Sequence, residues 1–409
     1  MVRPASFAAF RDELVRRHGI AGDDIRHELF FQRYRTAPLA RAWAALARDA
    51  WLLRRPPVPA QPAPPRNRPW AVLVATLAGG NGWGTLARAL PSVTAAGLQP
   101  VVLAHPRLDQ AVFPPSVPVL RPFLMGWPLL ALPSAAGAEA AALARRRMWR
   151  RAVAAALDGG RGVLLLHNDF DPMSGATLAQ GWPSICLQHG APTDEFFPAR
   201  ADFQVVWGDS SAQAQASAGT DPARLVLDPL GRGDRAVAVA EPPKALALVS
   251  QTHAAIFGPD LKPALRRVAA ELARLSGTEV PLAALLHPAE GGRNPYALAA
   301  SLPPHPWLEH QRPALVLAFC STMAVDAALA GHWVACLDLG LPGNAGAHAV
   351  ADPPLRVDSA AAAVALYRRL HADPGFRAQA GACQQRWLDA TFSAEREGLL
   401  GLLRKVTLR

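Results

Sequence analysis

Two polar clusters, "HNDFD" (167–171) and "QHG" (188–190), each close an apolar run of strand character, "GVLLL" and "SICL". A carboxylate at a strand end can attack an anomeric carbon, as in retaining glycoside chemistry, or take a proton from an acceptor hydroxyl. An imidazole beside it can act as the base, orient the carboxylate or bind an acid group of a donor. Asp169 is therefore the candidate nucleophile or base, and His189 its catalytic companion. Asp171, preceding Pro172, either joins this chemistry or fixes the turn. Asn168, Ser174 and Gln188 are the flanking polar groups expected to meet an acceptor. Asp194 and Glu195 read as first-turn acids of a helix, favoured there by the macrodipole.

Three further strand ends carry small polar or imidazole groups. "SQTH" supplies Ser250, Gln251 and Thr252; "LLHPAEGG" supplies His287, Pro288 and Glu290; "CSTMAVDAAL" supplies Ser321 and Thr322 at the start of a helix. Hydroxyls and unpaired N–H groups at a helix start can hold a phosphate, and a histidine can donate to a phosphate or ribose. Each motif alone also reads as an ordinary cap. Their coincidence in one half of the chain points to a nucleotide phosphate site. "LAGGNGWGTLARAL" places Gly79, Gly80, Gly82 and Gly84 between a strand and a helix, where backbone can approach a donor ligand. It lacks the dinucleotide spacing, so no NAD site is expected. No metal is expected, and no cofactor beyond a nucleotide sugar.

Positioning these groups requires strand ends facing a common space. From Trp70 the runs "AVLVATLA", "PVVLAH", "GVLLLHN", "SICLQHG", "FQVVWG" and "RLVLDPL" alternate with Ala/Leu/Arg helices, and a second series follows "EPPK": "ALALVSQTH", "VPLAALLHP", "ALVLAFCST", "WVACLDLG" and "LRVD". Runs apolar throughout and separated by helices indicate parallel strands covered on both faces. The expected class is α/β, two Rossmann-like domains facing each other across a cleft, with an N-terminal helical extension. Residues 1–55 form that helical segment, 56–69 a proline-rich linker, 70–238 the first Rossmann-like domain with catalytic and acceptor groups, 239–392 the donor domain, and 393–409 a C-terminal helix.

The 409 residues suit two domains, and 51% hydrophobic with 18% charged residues indicates a globular chain. No signal-peptide pattern or long apolar span stands out, so a cytoplasmic protein is expected, at most touching the inner face of a membrane. Cys186, Cys320, Cys336 and Cys383 are too dispersed for a zinc knuckle or disulfide framework. The formal net charge of +10 is carried almost wholly by arginine, since only Lys244, Lys262 and Lys405 are lysines. No basic run is interleaved with aromatics, so nucleic acid is not an expected partner; an anionic membrane surface or anionic substrate suits the charge better.

The order "LQHG", "VVWGDSSAQ…RLVLDPLGRGD", "ALALVSQTH", "LLHP", "STMAVDAALAGHWVACLDLG" resembles the two-domain GT-B glycosyltransferases of bacterial capsule and lipopolysaccharide synthesis over about residues 70–390. The HP and Ser/Thr elements are similar to those with which bacterial sialyltransferases hold CMP, and the HG element to that of CDP-glycerol polymerases of teichoic acid synthesis. "NDFDPMSG" loosely resembles a stretch of capsular β-Kdo transferases, differing in the preceding acid and the following Arg-Ser pair. The resemblance implies transfer of Kdo or a related ulosonic acid from a CMP donor to a glycan or glycolipid acceptor. Its alternatives are a CDP-glycerol or alditol phosphotransferase with His189 as base, and a non-catalytic sugar-nucleotide-binding assembly protein.

Overall fold

The protein is described from a computed structural model that covers residues 7–32, 37–54, 64, 66–77, 82–124, 137–193, 196–277, 279–341 and 353–407. Most of the proline-rich segment, together with Gly79, Gly80, Asp194 and Glu195, lies outside the described residues.

The apolar runs form two wholly parallel sheets. The first contains β1 (Trp70–Ala75), β2 (Gln99–Ala104), β3 (Val119–Leu120), β4 (Gly162–Leu166), β5 (Ser184–Leu187), β6 (Phe203–Val206) and β7 (Leu225–Leu227), in the order β3-β2-β1-β4-β5-β6-β7. The second contains β8 (Ala245–Val249), β9 (Leu282–Leu285), β10 (Ala299–Ser301), β11 (Ala314–Ala318), β12 (Trp333–Leu337) and β13 (Leu355–Val357), in the order β10-β9-β8-β11-β12-β13. Every residue of β1, β8, β11 and β12 is buried, as strands sandwiched between helices must be. The strand order reverses between β1 and β4 and again between β8 and β11. Ligands of such sheets bind beyond the carboxyl ends at these reversals, because the connections leave in opposite directions and open a crevice.

The N-terminal helices pack onto the first sheet's helical layer. Leu46 and Leu53 of the helix Pro38–Leu53 join Trp149 and Val153 in one core, and Asp49 accepts from Arg145 Nε at 2.6 Å and Trp149 Nε1 at 2.8 Å. The last helix, Gly398–Thr407, returns from the second sheet to the first. Its Leu399, Leu402, Leu403 and Val406 are buried there, and Asp228 accepts from the Leu399 N–H at 2.9 Å. Burying each such side chain contributes about 1.5–3 kcal/mol. All four cysteines are free thiols, three of them buried.

Candidate active site

At the first reversal, β1 ends in Thr76 and β4 in His167, Asn168 and Asp169. His167 is 1% exposed, with Nε2 3.3 Å from the Thr76 hydroxyl. A Cβ on Gly82 would lie 2.5 Å from this ring, so the absence of a side chain is what lets the helix Gly82–Arg88 begin against it. Gly84 faces open space. Asn168 donates to Thr76 Oγ1 at 3.1 Å and accepts the N–H groups of Phe170 at 3.3 Å and Asp171 at 3.2 Å. Asp171 caps the helix Pro172–Leu178. It accepts from Met173 N at 2.8 Å, Ser174 N at 3.0 Å and Ser174 Oγ at 2.8 Å. Burial pushes its pKa up, but the Ser174 bonds, together with the Thr76 hydroxyl and the His167 ring, outweigh this and hold the carboxyl below its ordinary value.

Asp169 is 2% exposed, and its carboxylate accepts from Arg200 N at 2.6 Å and Ala201 N at 3.4 Å, with the Gln204 amide 3.5 Å away. Arg200 also donates to the Asp169 carbonyl at 3.0 Å and is ion-paired with Asp24. Arg26, fully buried, donates to the Pro198 carbonyl at 3.0 Å. The helix Ile20–Gln32 thereby ties down the segment that follows "QHG". Gln188 is also engaged, donating to Gly190 O at 3.0 Å and accepting from Trp207 N at 2.8 Å.

His189 stands apart from these satisfied groups. Its half-buried ring is edge-on to His167 at 5.7 Å and tilted on Phe196 at 5.6 Å. Burial, helped by the nearby Arg232 cation and opposed by a hydrogen bond with the His167 backbone, lowers its pKa. The imidazole is therefore neutral at pH 7 and able to accept a proton.

At the second reversal, Gln251 Oε1 accepts the Thr252 N–H at 2.9 Å, which fixes the amide's orientation. The same oxygen contacts His253 Nδ1, so this nitrogen carries the proton and Nε2 keeps its lone pair. His287 has the opposite tautomer. Its Nδ1 accepts from Ala289 N at 3.1 Å, leaving Nε2–H as the donor, while Glu290 accepts the His287 N–H at 2.9 Å in a reciprocal cap around Pro288. The two rings meet edge-on at 5.6 Å. His253 opens to solvent yet is crowded by protein on most sides, and this burial, with His287 adjacent, lowers its pKa to about 4. Ser250 is bonded to Tyr296 OH at 2.7 Å, and Ser321 caps the helix Thr322–Leu329 by accepting from Met323 N at 3.3 Å.

The two reversals meet. Thr322 Oγ1 accepts the Ala191 N–H at 2.9 Å, directly joining the "QHG" loop to the helix after β11. Arg232 donates to the His189 carbonyl at 3.4 Å, pairs with Asp326 and lies 4.4 Å over the Trp207 ring. A loop of the first sheet and a helix start of the second thus share one junction.

No known family model matches the chain, and no curated protein does. Among solved structures, a variant of the wall teichoic acid polymerase TagF aligns over 91% of this chain and 98% of its own, at 10% identity and a TM-score of 0.50. The spinosyn forosaminyltransferase SpnP aligns over 83% of this chain and 100% of its own, at 13% identity and a TM-score of 0.50. The chain has the GT-B fold. These identities carry the likeness no further than the fold. Within this GT-B architecture the residues picked from sequence divide: His189, His287, Pro288, Glu290, Thr252, Ser321 and Thr322 are at least partly accessible, whereas Asn168, Asp169, Ser174, Ser250 and Gln251 are buried and bonded internally. Sequence reasoning gave no separate role to His167 or Arg232, and took His253 only as the end of "SQTH". Both histidines stand inside quoted strand-end motifs, and Arg232 stands in "GRGD" just beyond β7; only their distant partners give them a role.

Proposed function

We propose that this protein is a GT-B glycosyltransferase that moves a sugar, Kdo or a related ulosonic acid, from a CMP-activated donor to a surface polysaccharide or lipopolysaccharide acceptor. The observation that carries this reading is the junction itself, where the loop bearing a neutral His189 is bonded to the helix after β11, the strand next to β8, whose end leads to His253. In this mechanism the His287 Nε2–H donates to the nucleotide, and the His253 lone pair accepts from a ribose or base group. His189 takes the proton of the acceptor hydroxyl as it attacks the anomeric carbon, and the cytidine monophosphate leaves with the bonding pair. Asp169, held by the Arg200 N–H, supports the loop behind His189. Service as a covalent nucleophile requires it to leave that bond first.

A second reading, a CDP-alditol phosphotransferase, is favoured by the same accessible imidazole, since the two acids of the "HNDFD" cluster are taken up by the Arg200 N–H, the Met173 N–H and Ser174. There His189 deprotonates a hydroxyl that attacks phosphorus, and cytidine monophosphate again departs. Nucleotide release from CMP-Kdo, CMP-sialic acid, CDP-glycerol and UDP-sugars separates the cases. Release from CMP-Kdo is expected; release from CDP-glycerol alone supports the phosphotransferase, turnover of UDP-sugars alone contradicts both, and binding without turnover points to an assembly protein.

A further inference from the structure

We infer that the helix Ile20–Gln32 is a working part of the candidate active site, and that its Asp24 acts through Arg200 as a positioning residue for His189. Asp24 is 5% exposed, and its carboxylate is ion-paired on one side with Arg150 of the helix Ala138–Leu157 and on the other with Arg200. Arg200 directs its other donors at the "HNDFD" turn. Its backbone N–H meets the Asp169 carboxylate at 2.6 Å, and its Nη1 the Asp169 carbonyl at 3.0 Å. Arg146, 3% exposed, takes the next two carbonyls, Phe170 O at 2.7 Å and Asp171 O at 2.5 Å. Gly175 leaves room for these two guanidinium groups, since a Cβ there would collide with Arg146 and come within 3.3 Å of Arg200 Nη1. Three successive carbonyls are thus turned onto two largely buried cations. A buried cation needs a counter-charge, and Asp24 supplies it to Arg200 from a helix outside the first sheet.

The path onward to His189 is aromatic. Phe170, its carbonyl held by Arg146, stacks on His27 of the same helix at 4.6 Å and meets Phe196 edge-on at 5.0 Å; Phe196 in turn lies 5.6 Å from the His189 ring. Arg26 fixes the far end of that segment through Pro198 O at 3.0 Å, with Asp23 as its own counter-charge at 2.7 Å. Among the described residues, the charged or titratable groups acting on His189 are His167 and Arg232, and neither belongs to this helix. The helix therefore acts on His189 by packing, fixing the ring's place and keeping water from it. The inference rests on His189 being the base, but its physical consequence, an ordered and partly dehydrated ring, exists without substrate.

The test compares Asp24→Asn with Asp49→Asn in the full chain. Asp49 is also a buried acid joining an early helix to Ala138–Leu157, but its partners are Arg48, Arg145 and Trp149 instead of Arg200. Both changes should lower the melting temperature. Asp24→Asn alone should reduce kcat for transfer by about tenfold or more, with donor KM and CMP affinity within about twofold, because a small displacement of a catalytic group is felt in the transition state. It alone should also raise the His189 pKa towards 6.5 as water reaches the ring. That rise is read by NMR titration of the imidazole and by an acid limb of the pH–rate profile moved to higher pH. Hydrogen exchange over residues 196–201 should quicken with it. Arg200→Lys keeps a charge beside Asp24 but loses the guanidinium fork, so it should move the same readouts less, and it serves should Asp24→Asn not fold. Equal loss of kcat and an equal His189 shift in Asp49→Asn would reduce Asp24 to a general stabiliser and overturn the inference. An unmoved His189 titration in both Asp24→Asn and Arg200→Lys would overturn it as well. If no donor is turned over, the proposed chemistry fails separately, and the titration and exchange, which need no substrate, still decide the inference.

Discussion

The two imidazole pairs, His167 with His189 and His253 with His287, have ring separations of 5.7 and 5.6 Å and nearly perpendicular planes, at 87° and 88°. Their surroundings differ. The first pair is built into a packed scaffold: His167 is sealed by Gly82 and Thr76, and the acids beside it are consumed by caps and backbone N–H groups. The second pair is held from behind, through Gln251 and Ala289, with both Nε2 atoms left for a ligand. In the proposed function this contrast separates chemistry from binding. A rigid scaffold presenting one reactive ring suits a base, and two complementary open rings suit recognition.

The sharpest way to break the comparison is His189→Asn, which should reduce transfer by about 10²–10⁴-fold in a steady-state assay while nucleotide affinity stays within about twofold. If affinity falls with activity, the division of labour is wrong. His287→Ala should do the reverse, weakening cytidine nucleotide binding by about tenfold or more through loss of a hydrogen bond to a charged group, and titration calorimetry can measure this. Gly82→Ala probes the scaffold. The added methyl meets the His167 ring, so the melting temperature should fall in keeping with a cost of about 1–3 kcal/mol.

The smallest effect concerns acid. Burial lowers the pKa of His105 to about 4 and pushes His167 far below its ordinary 6.5. The unfolded chain therefore binds more protons than the folded one between about pH 4 and 6.5, and stability falls as the pH drops through that window. The depressed Asp171 acts later, its contribution disappearing only as the pH falls below its unfolded value of 3.8. His167→Asn should flatten the upper part of this loss in urea melts at several pH values; an unchanged slope would mean that the ring is not sealed.

The sheets were legible because β1, β4, β8, β11 and β12 are apolar throughout and bounded by helices. β3 and β10 escaped notice, being edge strands of two and three residues with no run to announce them. The Asp171 cap was readable in "DPMS", since its partners lie within three residues. Asp169 was not, because the N–H that occupies it belongs to Arg200, 31 positions away. A strand-end carboxylate looks the same in sequence whether it faces a substrate or a backbone donor. Likewise the open nitrogens of His253 and His287 depend on tautomers set by Gln251 and Ala289, which spacing alone does not reveal.

The central claim is that a cytidine nucleotide sits at the second sheet's histidines while His189 does chemistry from the first. Calorimetric titration of CMP into the wild-type chain, His287→Ala and His189→Ala tests it most directly. The account predicts tight binding to the wild type, nearly unchanged binding to His189→Ala and a loss of about tenfold or more in folded His287→Ala. Binding lost in His189→Ala and retained in His287→Ala, or a wild-type chain that prefers UMP or GMP to CMP, would contradict it.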